Sequence, residues 1–173
     1  PWPGFEEKAP LFGAAADYAY ETYGLTPVFL PIEPRLDVGS AQLAARHMDP
    51  RTPRHILEET GGSDHTIGLL SRMQVVLSMR LHALVFAAGQ GVPLVGVVYD
   101  QKISSFLSYI GQDLFTRLEQ VTLPALCAHI DAACARIGDT AFLSGGVERL
   151  RQVERRNQET ARRLLEPEAP AAR

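Results

Sequence analysis

Arg80 and His82, in Ser78-Met79-Arg80-Leu81-His82-Ala83-Leu84, and Lys102, in Tyr99-Asp100-Gln101-Lys102, are the residues of this chain best suited to chemistry. A guanidinium clamps a phosphate or a carboxylate through parallel N–H bonds, and an ammonium adds a point charge. Imidazole is the side chain that carries a proton near neutral pH without a perturbing environment. Ser78 fits as the N-cap of the apolar run behind it, where free backbone N–H groups and the positive dipole end favour an anion. The set suits a small ligand bearing both phosphate and carboxylate. Asp100 can orient Lys102 or cap the turn that follows, and the second role is preferred.

Two strands and a helix must position these groups. From Leu81 to Ala88 every residue except His82 is apolar, which predicts a buried helix. Gln74 to Leu77 reads as a short buried strand ahead of it. Gly89 and Gly91 stop the helix, and Pro93 opens a second strand, Leu94 to Val98. Strand, helix and strand make a βαβ crossover with both strands parallel. In such sheets the loops at the carboxyl ends line the ligand crevice, so Ser78, Arg80, His82, Asp100 and Lys102 are expected at one edge. Residues two apart in a helix do not share a face. Either Arg80 therefore sits at the cap, outside regular helix, or only one of the pair faces the ligand. The opposing reading pairs Arg80 with a buried carboxylate and bonds His82 to a backbone carbonyl.

The heptapeptide Ser78 to Leu84, the Gly91-Val92-Pro93 turn and the spaced Tyr99-Asp100-x-Lys102 resemble the C-terminal half of the polysaccharide pyruvyl transferases. The resemblance centres on residues 77–106. It departs at Gln101, where the family often has Pro, and at Ile103, where Val is usual; neither change removes a charge. What it implies is a transferase that moves an enolpyruvyl unit from phosphoenolpyruvate to a sugar of a cell-surface or cell-wall polysaccharide and closes a cyclic pyruvate ketal. Phosphoenolpyruvate would be a co-substrate, with no further cofactor; the residues themselves offer no metal site and leave a metal requirement open. Arg80, His82 and Lys102 would hold or activate it, with Ser78 and Asp100 beside them; His82 can serve as proton carrier or as phosphate ligand. The implied fold is a single Rossmann-like doubly wound parallel sheet, the C-terminal lobe of a two-lobed glycosyltransferase-B-like enzyme. Residues 1–166 would form that lobe, inactive alone without an N-terminal lobe, and 167–173 a disordered tail. Two other functions stay open on the residues: a nucleotide-sugar-binding glycosyltransferase lobe, and a non-catalytic module for anionic glycans.

The chain has 173 residues and a net charge of -3, enough to bury one core and without the basic surplus of a nucleic-acid partner. The apolar stretch Leu81 to Tyr99 is broken by His82, Gln90, Gly91 and Pro93 into pieces too short to span a bilayer. Cys127 and Cys134, seven apart in one helix, stand about 10 Å apart, beyond the roughly 7 Å a disulfide tolerates. Two core thiols suit a reducing compartment, and a cytoplasmic enzyme that meets the membrane only through a lipid-linked acceptor is expected.

Elsewhere, Ala9 to Tyr23 predicts a helix stopped by Gly24, followed by a strand Val28 to Leu30. Glu33 and Arg35 then border the crevice or simply an exposed loop. Asp37 or Ser40 is expected to cap a helix to His47 or Met48, and Asp37 is given little weight beyond that. His55 to Glu58 predicts a strand, and Ser63 caps a helix through Leu70. The Gly61-Gly62 pair lacks the Gly-Lys-Ser/Thr ending of a phosphate loop. Helices follow at Ile103 to Ile110, from the Thr122 cap to Ile137, and at Val147 to Leu165, with a weaker strand at Phe115 to Leu118. The apolar stripe of the last helix is expected to dock on the absent lobe.

Overall fold

The computed structural model describes residues 4–165, along which helices and strands alternate. The order is α1 (Ala9–Tyr23), β1 (Val28–Phe29), α2 (Pro34–Arg46), β2 (His55–Ile56), α3 (Ser63–Leu70), β3 (Val76–Ser78), α4 (Leu81–Gly89) and β4 (Leu94–Val98). It continues through α5 (Gln101–Tyr109), β5 (Phe115–Arg117), α6 (Leu123–Cys134) and α7 (Thr140–Leu165). Residues 167–173, expected as a tail, lie outside the described residues.

Local chemistry explains most boundaries. Gly24 adopts φ 68° and closes α1 by donating to the Tyr20 carbonyl, a conformation only glycine adopts cheaply. Thr122 caps α6 as expected, its hydroxyl accepting from the Ala125 N–H. α2 starts earlier than expected because Pro34 occupies its first turn, where a missing N–H costs nothing, with Glu33 as N-cap. α3 is capped by Gly62, not Ser63, and α6 ends at Cys134, short of Ile137. The N-cap of α4 is Arg80, with φ -90° and ψ 121°; the Ser78 hydroxyl instead accepts from the Arg80 N–H at 3.0 Å, fixing the turn into the helix. Arg80 therefore stands outside regular helix while His82 lies in the first turn.

All pairings are parallel, in accord with a Rossmann-like mixed α/β fold, but the strands form two small sheets where one was expected: β1-β2 and β3-β4-β5. The division falls between β1 and β3, which no backbone hydrogen bond joins among the described residues. β4 is the centre of the larger sheet and all five of its residues are buried. Leu94 and Val98 face α4 and α5, whereas Val97 meets α1 and α6 and Val95 meets Ala133 of α6. The two-residue alternation of a strand thus distributes helices to both faces.

On the first face Leu84 and Ala87 of α4 and Ile103 and Leu107 of α5 are fully buried. Val147 and Leu150 of α7 pack onto the same cluster, so the front of that apolar stripe is already covered within this chain. Its last turn is open: Leu164 and Leu165 are more than 80% exposed. On the other face α1 packs between α2 and α6. A β-carbon at Gly13 would stand 2.7 Å from the Ala44 carbonyl oxygen, so glycine sets how close α1 and α2 come. Tyr18 and Tyr23 of α1 donate to one carboxylate oxygen of Asp131 on α6, at 2.7 and 2.8 Å. Cys127 and Cys134 are free thiols. No helix among the described residues is long and apolar enough to cross a membrane.

Candidate functional site at the carboxyl edge

Parallel pairing aligns Ser78 with Gly96 and Val98 with Arg117. The turns after β3 and β4 consequently leave the sheet side by side at its carboxyl edge. Two residues past Ser78 comes Arg80 and four past comes His82; four residues past Gly96 comes Asp100. The five residues singled out in the sequence therefore share one edge.

Arg80 is the anchored member. Its Nε donates to Asp37 Oδ1 at 2.9 Å and its Nη2 to the same oxygen at 2.5 Å, across 43 residues of chain. Both side chains are mostly shielded, at 22% and 15% exposure. Asp37 lies in the first turns of α2, and its Oδ2 accepts from the backbone N–H groups of Ile32 and Glu33 at 3.0 and 2.9 Å. One carboxylate thus ties the turn after β1 to the turn after β3. Asp37 matters more here than its place in the sequence suggests, because a contact 43 residues away carries no local signal. The available hint was an acidic residue in the first turns of a helix that leaves a strand's carboxyl end.

Lys102 and Asp100 form a local pair. Asp100 caps α5, with Oδ1 accepting from the Lys102 N–H at 2.9 Å, and its Oδ2 stands 3.5 Å from the Lys102 ammonium. The two expected roles are therefore filled together. That backbone N–H, with the ammonium beside it, holds the Asp100 carboxyl below the usual carboxylate range. Lys102 is 56% exposed along its side chain, so its ammonium can swing toward a ligand at little cost. His82 is exposed, with its ring 6.2 Å from that of Phe86 one turn along α4.

A cavity of about 510 Å³ opens between β1 and β3, with Ser78, Arg80 and Asp37 in its lining. His82 and Lys102 are not part of that lining and stand outside it, on the exposed edge. Nor do Glu33 and Arg35 line it; both are exposed at the start of α2. Among the described residues no three His, Cys, Asp or Glu side chains cluster as metal ligands do.

The span from α1 through the turn after β4, which carries this geometry, matches a family model described as polysaccharide pyruvyl transferase over residues 10–101. That is more than half of the chain. The chain belongs to the polysaccharide pyruvyl transferase family. No curated protein and no solved structure matches it. The matched span includes Asp37, Ser78, Arg80, His82 and Asp100, and ends one residue before Lys102.

Proposed function

We propose that this chain binds phosphoenolpyruvate at the carboxyl edge between residues 78–82 and 99–102, and transfers its pyruvyl unit to a sugar as a cyclic ketal. Membership of the family supports pyruvyl transfer to a polysaccharide in general. The observation that carries the finer reading is the β3-β4 register, which sets an arginine, an imidazole and a lysine on adjoining turns of one edge.

In this reading each residue has a task. Arg80, held by Asp37, presents a guanidinium of fixed orientation to the ligand's carboxylate or phosphate. Lys102 turns from Asp100 toward the phosphate, and the first N–H groups of α4 add a dipole of the same sign. One sugar hydroxyl adds to C2 of phosphoenolpyruvate and loses its proton as the methylene carbon gains one, which makes it a methyl group. The C2–O bond to phosphate then breaks, the bond electrons leave with the phosphate, and an oxocarbenium-like carbon remains. A second hydroxyl of the same sugar adds there and gives up its proton, closing the ketal. His82 is assigned the proton delivered to the methylene carbon. The acceptor sugar is brought by a second lobe of the glycosyltransferase-B type, and the reaction takes place in the cytoplasm on a polysaccharide precursor.

Calorimetric titration with phosphoenolpyruvate tests this reading, with UDP-sugar and GDP-sugar as controls. A charge-assisted hydrogen bond contributes about 1.5–3 kcal/mol, so His82→Ala and Lys102→Ala should each weaken phosphoenolpyruvate roughly tenfold or more. Circular dichroism should show both variants folded. Equal binding by both variants and the parent would remove these residues from the donor site. Tight nucleotide-sugar binding with indifference to phosphoenolpyruvate would favour a glycosyl donor instead.

A further inference from the structure

We infer that the cavity between β1 and β3 is the seat of a missing central β-strand, an extended, uncharged segment of polypeptide leading into Phe5. The cavity follows both strands along their length, from Gly24 to Pro31 on one side and from Gln74 to Arg80 on the other. Seven residues of strand span about 20 Å. This is a slot of strand length, not a ligand-sized pit.

Its walls are strand edges. The Pro27 and Phe29 carbonyls accept from the N–H groups of His55 and Leu57, and the Val76 N–H donates to the Pro93 carbonyl just ahead of β4. Because successive residues of a strand turn their backbone groups to opposite sides, Val28 and Leu30 of the first edge and Val75 and Leu77 of the second face the slot. Those residues are only half-buried, whereas all of β4 is buried. An apolar strand edge left open within a fold is costly.

The slot also dictates what fills it. Leu70 and Met73 line it from the α3 and α4 side, and Ala15, Ala19 and Ile130 from the α1 and α6 side. A strand between them is buried on both faces, and therefore apolar without alternation. Its direction follows from Phe5, which is buried in a cluster with Ala9 and Ala44 on which Phe29 and Met79 pack, at the carboxyl ends of both walls. A strand parallel to β1 and β3 leaves the slot at that end and delivers the chain to Phe5, after which α1 returns beneath the sheet to β1. The two sheets become one, in the order β2-β1-x-β3-β4-β5, the dinucleotide-fold order with its topological switch beside x. That switch places the ligand crevice over Asp37 and Arg80. The inference stands on the slot alone and does not require the phosphoenolpyruvate reading.

Hydrogen exchange read by mass spectrometry on three proteins tests it. These are the 173-residue chain, the same chain with Val-Ile-Val-Val-Ser-Val joined ahead of Pro1, and a control extension with proline at alternate positions. In the 173-residue chain the amides of Val28, Leu30, Val75 and Leu77 should exchange rapidly at every protein concentration. The valine-rich extension should slow them by on the order of 100-fold, as for strands inside a sheet, and the proline control should not. Amides already protected in the 173-residue monomer would mean that β1 and β3 pair directly, and would overturn the inference. Protection that grows with concentration would assign the slot to a second copy and overturn it equally. So would rapid exchange that the valine-rich extension leaves unchanged.

Discussion

The strongest lever on this structure is Asp37. Replacing it with alanine removes two backbone N–H partners at 3.0 and 2.9 Å and leaves the Arg80 guanidinium, 22% exposed, without that counter-charge. Breaking a fully buried ion pair costs about 3–5 kcal/mol. The residual exposure here brings the pair down toward the lower end, and loss of the acceptor for the Ile32 and Glu33 N–H groups adds about 1 kcal/mol. A destabilisation of about 4 kcal/mol is expected, and in a chain of this size it lowers Tm by roughly 8–16 °C. Arg80→Met combined with Asp37→Ala removes both charges, so the double variant should be more stable than the sum of the singles by about 1–3 kcal/mol. Urea denaturation followed by circular dichroism supplies all four corners of the cycle. A coupling below about 0.5 kcal/mol would refute the pair as the tie between the turns after β1 and β3.

Tyr23 is pushed up to about 12 from 10.0, first by its hydrogen bond to Asp131, and Tyr18 is raised by the same carboxylate. The folded state then holds protons that the unfolded state gives up, so stability is complete below pH 10 and falls as pH rises toward 12; Tyr23→Phe should flatten that decline in alkaline denaturation curves. Gly146→Ala drives a β-carbon into the Ile110 carbonyl and should cost about 1–3 kcal/mol. Gly145→Ala meets nothing within 4 Å and should instead stabilise α7 by about 0.5–1 kcal/mol; equal effects in thermal melts would displace α7 from its seat on α5. Asp100→Asn keeps an oxygen to accept from the Lys102 N–H but releases the ammonium. It should tighten phosphoenolpyruvate roughly two- to fivefold, the range of an exposed ion pair, and weaker binding by calorimetry would show that Asp100 serves the ligand itself.

Features that depend on near neighbours were legible in the sequence. The helix from Ala9 to Tyr23 and the strand from Leu94 to Val98 match the structure residue for residue. Glycine stops and an unbroken apolar run are local signals, and they carry their own boundaries. The two-residue strands β1 and β2 are expected longer, because the apolar character of Leu30 and Leu57 persists after the pairing partner has ended. Even the break between two sheets has a physical cause that no sequence window holds. Whether Val75 and Leu77 are interior depends on what lies at the other edge, and the residues themselves read as interior either way.

The site shows the same division more sharply. Arg80, His82 and Lys102 advertise themselves, since cations beside an apolar helix are conspicuous in a sequence. Their counter-charges do not. Lys102 has its carboxylate two residues away, whereas that of Arg80 comes from a different βα turn 43 residues earlier. The difference matters to any anion that binds here. Asp37 is fixed by two backbone N–H groups and by α2, so Arg80 is held in place with its charge partly answered. Asp100 is 42% exposed and Lys102 more so, which leaves that pair able to open. In the proposed reading, an incoming phosphate would therefore gain most from the lysine and take its orientation from the arginine, a distribution of roles set by the counter-ions rather than by the cations themselves.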